Sequence, residues 1–296
     1  VVNSVAIATC SALPDGDEDA PLLRAALERR GVDVSWQVWD DPLAVWSGFD
    51  LVVIRSTWDY TGQLEPFLAW AQSVQRLHNP AAVLAWNTDK IYLKELAAAG
   101  IPVVPTSWPE STEQFEFPPG EFVVKPSVGA GSKGAGRFDS ERPGSSTAAR
   151  AHVRALQQAG RTVMVQPYLV EVDTAGETAL VYLGGQYSHA AGKSAMLAPG
   201  AVNELDPGYS RSLFVAERIT ARTARAEELE VGQQVVDFLT ARFGPLLYVR
   251  VDLLPTSAGP VIIEVEAAEP SLFLTQQPTG ADRLAAAIAE LLPADR

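Results

Sequence analysis

Two short stretches, Arg250-Val251-Asp252 and Ile262-Ile263-Glu264-Val265-Glu266, decide how this chain is read. Both are strand-like, and side chains alternate across a strand. Asp252 therefore falls on one face of the first, while Glu264 and Glu266 share one face of the second. If the strands pair through the turn at Thr256 to Pro260, three carboxylates converge among apolar neighbours that exclude water. Such a cluster repels itself unless a cation sits in it. Oxygen-only ligation beside Arg250 suits Mg2+, the ion that accompanies nucleotide phosphates. On these residues alone, the alternative is the solvated acidic face of an amphipathic hairpin.

A second segment narrows the choice. Phe122-Val123-Val124-Lys125-Pro126 reads as a short apolar strand carrying one lysine, and it runs into Ser127-Val128-Gly129-Ala130-Gly131-Ser132-Lys133-Gly134-Ala135-Gly136. The glycines and serines leave backbone N–H groups free to approach an anion, and Lys125 and Lys133 supply charge. The spacing is neither a Walker A loop nor a dinucleotide fingerprint. By itself the run also suits a surface linker. With a carboxylate metal site later in the chain it becomes a phosphate cover with the metal beneath.

Together these segments resemble the ATP-grasp superfamily, in the short ligase branch that includes D-alanine–D-alanine ligases and ribosomal-protein glutamate ligases, over most of the chain. The resemblance implies an α/β fold in which an N-terminal α/β domain precedes two lobes enclosing ATP. It also implies ATP and Mg2+ as cofactors, with two ions between the β- and γ-phosphates and Mn2+ as a substitute. Carried onto this sequence, it gives Lys90, in Asn87-Thr88-Asp89-Lys90, to the α-phosphate and Lys125 to the α/β-phosphates or the adenine side, under a loop containing Gly129, Gly131, Ser132, Lys133 and Gly134. Gln166, Tyr168 and Leu169 take the adenine hinge and Asp173 the ribose hydroxyls; many relatives have Glu at both Gln166 and Asp173. Lys193 approaches the transferred phosphoryl group. Asp252, Glu264 and Glu266 hold the metal, and Arg250 stabilises charge on the acyl phosphate. Relatives usually have Asn where this chain has Glu266. Glu269 and Ser271 follow in the segment that contacts substrate.

Composition is consistent with this. A chain of 296 residues with 47% hydrophobic content is ample for a buried core spread over two or three lobes. Its formal charge of -13 opposes nonspecific binding to nucleic acid or an anionic membrane. The single cysteine, Cys10, excludes an intramolecular disulfide and suits a reducing cytoplasm. No apolar stretch or leader reads as a membrane span or signal peptide. Cys and His are too few for a structural zinc site.

The first lobe reads as strand Val5 to Cys10, helix Pro21 to Arg30, strand Val32 to Val38, strand Leu51 to Ile54, helix Leu64 to Leu77 and strand Val83 to Ala85, which predicts a mainly parallel sheet. Then come a helix over Lys90 to Ala99, an extended run over Ile101 to Thr106, the strand before the glycine loop, a helix over Ala148 to Ala159 and a strand over Thr162 to Gln166. The last part predicts strands at Glu177 to Leu183, Gln186 to Ala190, Leu246 to Leu253 and Val261 to Glu266, with helices over Glu217 to Arg242 and Gly280 to Leu292. The expected domains are 1–87, 88–168 and 169–296.

Arg55-Ser56-Thr57-Trp58-Asp59-Tyr60 follows the strongest strand of the first lobe and so lies at a carboxyl end, where α/β proteins gather ligands. Arg55 suits a carboxylate, Asp59 an ammonium, Trp58 or Tyr60 a wall, and Ser56 and Thr57 offer hydroxyls, all sized for an amino-acid-like substrate. With its Ala-Thr-Cys opening and Glu-Val-Glu metal strand, the chain most resembles the cyclo-ligases of cycloserine biosynthesis. That resemblance implies ATP-dependent closure of O-ureido-D-serine to D-cycloserine through an acyl phosphate, with release of CO2 and ammonia. His189 or a carboxylate would take the nitrogen's proton, and sequence spacing does not choose between them. The alternatives are an intermolecular carboxylate–amine ligase making a dipeptide or modifying a peptide tail, and an inactive nucleotide-binding scaffold. Family resemblance also suggests a homodimer.

Overall fold

The computed structural model describes residues 2–111, 115–205 and 218–293. Its first lobe contains β1 (Ser4–Thr9), α1 (Ala20–Glu28), β2 (Asp33–Val38), β3 (Leu51–Ser56), α2 (Leu64–Ser73) and β4 (Leu77–His78), with the strands in the order β2-β1-β3-β4. All the pairings are parallel. Every residue of β3 is buried, as expected of a strand covered on both faces. Pro21 opens α1, whose Leu23, Ala26 and Leu27 face the core.

Two expectations are corrected here. Val83 to Ala85 is not a strand but part of α3 (Ala81–Asn87), which starts at Pro80. A three-residue apolar run fits either element, and Pro80 supplies the helix start. The fourth strand is instead Leu77–His78, because α2 stops at Ser73 and Val74 is already extended.

The middle of the chain forms α4 (Tyr92–Ala98), β5 (Glu121–Pro126), β6 (Gly136–Asp139), α5 (Ser145–Gln158) and β7 (Val163–Pro167), with an antiparallel sheet ordered β6-β5-β7. α5 covers this sheet through Ala149, Val153 and Leu156, which join Phe122, Val124 and Val165 in one cluster. α4 packs elsewhere: Tyr92, Leu93 and Leu96 share a core with β-strand and helix residues of the last lobe, among them Leu180, Val235 and Val251. The chain thus crosses between lobes more often than the expected division at residue 88 implies.

The last lobe comprises α6 (Val172–Ala175), β8 (Glu177–Leu183), β9 (Gln186–Lys193), β10 (Ile219–Arg222), α7 (Ala226–Phe243), β11 (Tyr248–Leu254), β12 (Val261–Glu266) and α8 (Thr279–Leu291). Its antiparallel sheet runs β10-β9-β8-β11-β12. The helix expected from Glu217 begins only at Ala226; Glu217 lies outside the described residues, and Ile219–Arg222 is a strand paired with β9. A capping box explains the later start: Glu228 Oε2 accepts the Arg225 backbone N–H at 2.7 Å. α8 joins the outer lobes, since its Leu284, Ala285 and Ile288 pack with Leu23 and Leu27 of α1 and Val181 and Leu183 of β8. Among the described residues no helix is long and apolar enough to cross a membrane.

Candidate active site

β11 and β12 pair antiparallel, as the alternation predicts, with Arg250 opposite Glu266 and Asp252 opposite Glu264. All four side chains therefore stand on one face of the sheet. That face floors a cavity of about 600 Å³, walled on the other side by Lys125 and the loop from Gly129 to Lys133. Glu264 and Glu266 reach into the cavity with side chains 26% and 25% exposed, whereas Asp252 at 1% is sealed beneath the floor.

Side-chain cations already satisfy these carboxylates. Arg250 donates to Asp252 at 2.8 and 2.9 Å and also pairs with Glu266. Lys193 Nζ lies 2.8 Å from Asp252 and 3.0 Å from Glu177. Lys90 Nζ sits 2.9 Å from Glu264 and donates to the Gly129 carbonyl at 2.8 Å. Burial opposes the charge on Asp252, but Arg250 and Lys193 outweigh it and hold the carboxyl at about 2. Lys90 and Lys125 likewise outweigh burial and hold Glu264 below its ordinary value. At Glu266 burial wins, helped by the charges of Glu264 and Asp252, and the carboxyl is pushed up to about 8.

The expected three-carboxylate cage is not what the described residues form: no three acidic, His or Cys side chains among them converge tightly enough to hold an ion. Arg250 stands between Asp252 and Glu266, and Lys90 draws Glu264 towards the glycine loop. The donor chemistry nevertheless fits a hard cation, because oxygen ligands alone line this face and Glu264 and Glu266 are held only by side chains that can turn away.

The glycine loop is tied to the floor and to the chain behind it. The Lys90 backbone N–H donates to Ser127 O at 2.9 Å, and Asn203 holds the Ser132 carbonyl at 2.9 Å. Gly131 and Ser132 both have left-handed backbone, with φ of +61° and +57°. The serine adopts a conformation that usually falls to glycine. Gly134 lies behind the wall, where a Cβ would come 2.8 Å from Leu205. Burial pushes the Lys125 ammonium down to about 8, and among the described residues it has no ion-pair partner.

Gln166, Tyr168 and Leu169 line the far end of the cavity. The Gln166 amide donates to Thr106 Oγ1 at 2.9 Å, and among the described residues its buried Oε1 has no partner. Asp173, expected at the ribose, is off the wall: its carboxylate takes hydrogen bonds from Arg137 at 3.2 and 3.3 Å and from Tyr168 at 2.5 Å.

The segment after β12 explains several residues expected to touch substrate. Asn79, Tyr248, Trp58, Arg55, Arg250 and His189 donate, in that order, to the consecutive carbonyls of Ala267, Ala268, Glu269, Pro270, Ser271 and Leu272, over 2.7 to 3.1 Å. Arg55 is thus 2% exposed and off the cavity wall, pinning Pro270 with Asp17 and Asp19 at 3.6 and 3.9 Å. His189 is likewise spent on Leu272 and Ser188, away from the cavity. Ser56 bonds Thr9, Thr57 is buried, and Asp59 accepts from Trp39, so these three also lie outside the wall. Trp58, Tyr60, Glu269 and Ser271 do line it. Burial pushes the Glu269 carboxyl up to about 7. Sequence reasoning missed Asp17 and Asp19, which follow β1, and Glu177, the partner of Lys193. A turn after a parallel strand is a signal that could have found the first two.

A family model for the N-terminal domain of the D-cycloserine synthetase DcsG matches residues 5–79. The cycloserine biosynthesis protein DcsG of Streptomyces lavendulae is 37% identical over 301 residues, spanning 93% of this chain and 94% of that protein. The chain belongs to the D-cycloserine synthetase family. The crystal structure of D-cycloserine synthetase DcsG matches with a TM-score of 0.84 at 34% identity, covering 98% of this chain and 100% of that one. A RimK-domain ATP-grasp protein from Sphaerobacter thermophilus matches at a TM-score of 0.68 and 17% identity over 98% of this chain and 100% of its own, and shows the shared fold. Membership of the D-cycloserine synthetase family makes this chain an ATP-dependent ligase of the ATP-grasp class that acts on a small-molecule substrate.

Proposed function

We propose that this chain closes O-ureido-D-serine into D-cycloserine, with cleavage of ATP to ADP and phosphate. The observation that carries the reading is the cation-rich carboxylate face of β11 and β12 beneath the glycine loop, in a chain related to the D-cycloserine synthetase DcsG. A carboxylate does not react with a nitrogen nucleophile until phosphorylation makes it a mixed anhydride, and that transfer needs its oxygens neutralised. Lys90, Lys125, Lys193 and the N–H groups of the glycine loop would hold the phosphates. Gln166 would offer its Oε1 to the adenine amino group beside the hinge backbone. Arg250 would turn from Glu266 to orient the substrate carboxylate and the anhydride made from it.

Glu264 and Glu266, and Asp252 once Arg250 and Lys193 turn from it, would hold Mg2+, which would supply charge neutralisation during phosphoryl transfer. The carboxylate oxygen attacks the γ-phosphorus and ADP leaves. The ureido nitrogen next to oxygen then attacks the acyl carbon, phosphate leaves, and the nitrogen's proton passes to a base. Hydrolysis of the carbamoyl group gives CO2 and ammonia. Intramolecular attack needs no second amine pocket. Closure of the lobes would keep water from the anhydride.

The experiment is mass spectrometry of the protein with Mg-ATP and O-ureido-D-serine alone, together with ADP quantification. Cycloserine appearing with ADP is the expected result. Intact substrate that is consumed only when a second amine is supplied would instead favour an intermolecular ligase.

A further inference from the structure

Six consecutive carbonyls, from Ala267 to Leu272, are each held by a side-chain donor from elsewhere in the chain, and the Ala267 and Ala268 N–H groups both donate to Asn87 Oδ1 at 2.7 and 3.1 Å. This segment presents two side chains to the cavity, Glu269 and Ser271. Rigid support of this kind is what positions a group for chemistry.

The carboxylates on the cavity wall are not equivalent. Glu177 pairs with Lys193, Glu264 with Lys90, Glu266 with Arg250, and Asp17 and Asp19 share Arg55. Glu18 is exposed to solvent. Glu269 is 7% exposed, and among the described residues no cation lies within 4.0 Å of it. Tyr60 lines the same cavity, and the Glu269 backbone is fixed by Trp58. Arg250 is tied to the same segment, through Ser271 O at 3.1 Å. A carboxylate oriented by Arg250 would therefore share the cavity with Glu269. In a five-membered closure, the attacking nitrogen must fold back to that same carboxyl carbon.

We infer that Glu269 is the base that takes the proton from the ureido nitrogen as the ring closes. The N–C bond forms, the C–O bond to phosphate breaks, phosphate carries away the electron pair, and the proton moves to Glu269. This rests on the reaction proposed above.

The test separates activation from closure. Wild type and Glu269→Gln are given Mg-ATP and O-ureido-D-serine, and two products are measured: cycloserine, and the hydroxamate captured from the acyl phosphate by added hydroxylamine. Cycloserine formation is expected to fall by about 100-fold or more, while hydroxamate formation stays within about threefold of wild type. Cyclisation by the variant within about threefold of wild type, or an equal fall in both products, overturns the inference. If Glu269→Gln loses its melting transition, Glu269→Asp carries the same comparison, and a fall about tenfold larger for cycloserine than for hydroxamate supports the base. A wild type that forms hydroxamate but no cycloserine overturns the cyclo-ligase reading itself, a result distinct from any failure of the variant alone.

Discussion

At the scale of single residues, burial and paired charge divide the work of this cavity. Lys125 has its ammonium pushed down to about 8 by burial, against an ordinary value of 10.5. Between those values the unfolded chain holds a proton that the folded chain has lost, so stability of the nucleotide-free protein rises with pH across that window. Bound phosphates restore the charge, so ATP binding should take up a proton at about pH 9, and affinity should fall as pH rises. Calorimetry in two buffers of different ionisation heat measures that uptake. Lys125→Met should abolish it, and equal heats with the wild type would contradict the assignment. Asp252 has the opposite sign. Its carboxyl is held at about 2, so the stability it contributes is present above its ordinary 3.8 and lost as pH falls from 3.8 towards 2. Asp252→Asn leaves Arg250 and Lys193 without their shared buried charge and should cost about 3–5 kcal/mol, read by urea denaturation at neutral pH.

At the scale of elements, the segment from Ala267 to Leu272 shows what was legible and what was not. Alternation along two strands placed Arg250, Asp252, Glu264 and Glu266 on one face, because period-2 geometry is local. Nothing local shows that Arg55 and His189 point at carbonyls contributed more than eighty residues away in the chain, at Pro270 and Leu272. Both are polar residues at strand positions, which suits a binding site and a buried hydrogen bond equally well. β6 was hidden for another reason: it begins at Gly136, inside a glycine run that reads as continuous loop. The two classes are separable by experiment. His189→Ala leaves a buried carbonyl unbonded and should cost about 1–3 kcal/mol of stability with the KM for ATP unchanged. Arg55→Met strips the cation from Asp17 and Asp19 and should cost about 3–5 kcal/mol. A large rise in substrate KM with no loss of stability in either variant would return that residue to the substrate site.

At the scale of the whole molecule, three sheets meet around one cavity, and α8 packs between the first lobe and the last. A nucleotide in that cavity contacts the loop of one sheet and the face of another, so binding and folding are linked. Mg-ATP at 100 times its Kd should stabilise the protein by about 2.7 kcal/mol, visible as a raised melting temperature. Removing Mg2+ with EDTA, or introducing Asp252→Asn, should erase the difference between ATP and Mg-ATP. An unchanged Mg2+ effect in the variant would move the metal away from this face. The claim on which the rest depends is that the substrate's own carboxylate is phosphorylated here before the ring closes. The most direct measurement uses O-ureido-D-serine labelled with 18O in its carboxylate, with mass analysis of the inorganic phosphate released during turnover. One 18O atom per phosphate is the predicted result, and phosphate free of label, formed alongside cycloserine, would contradict it.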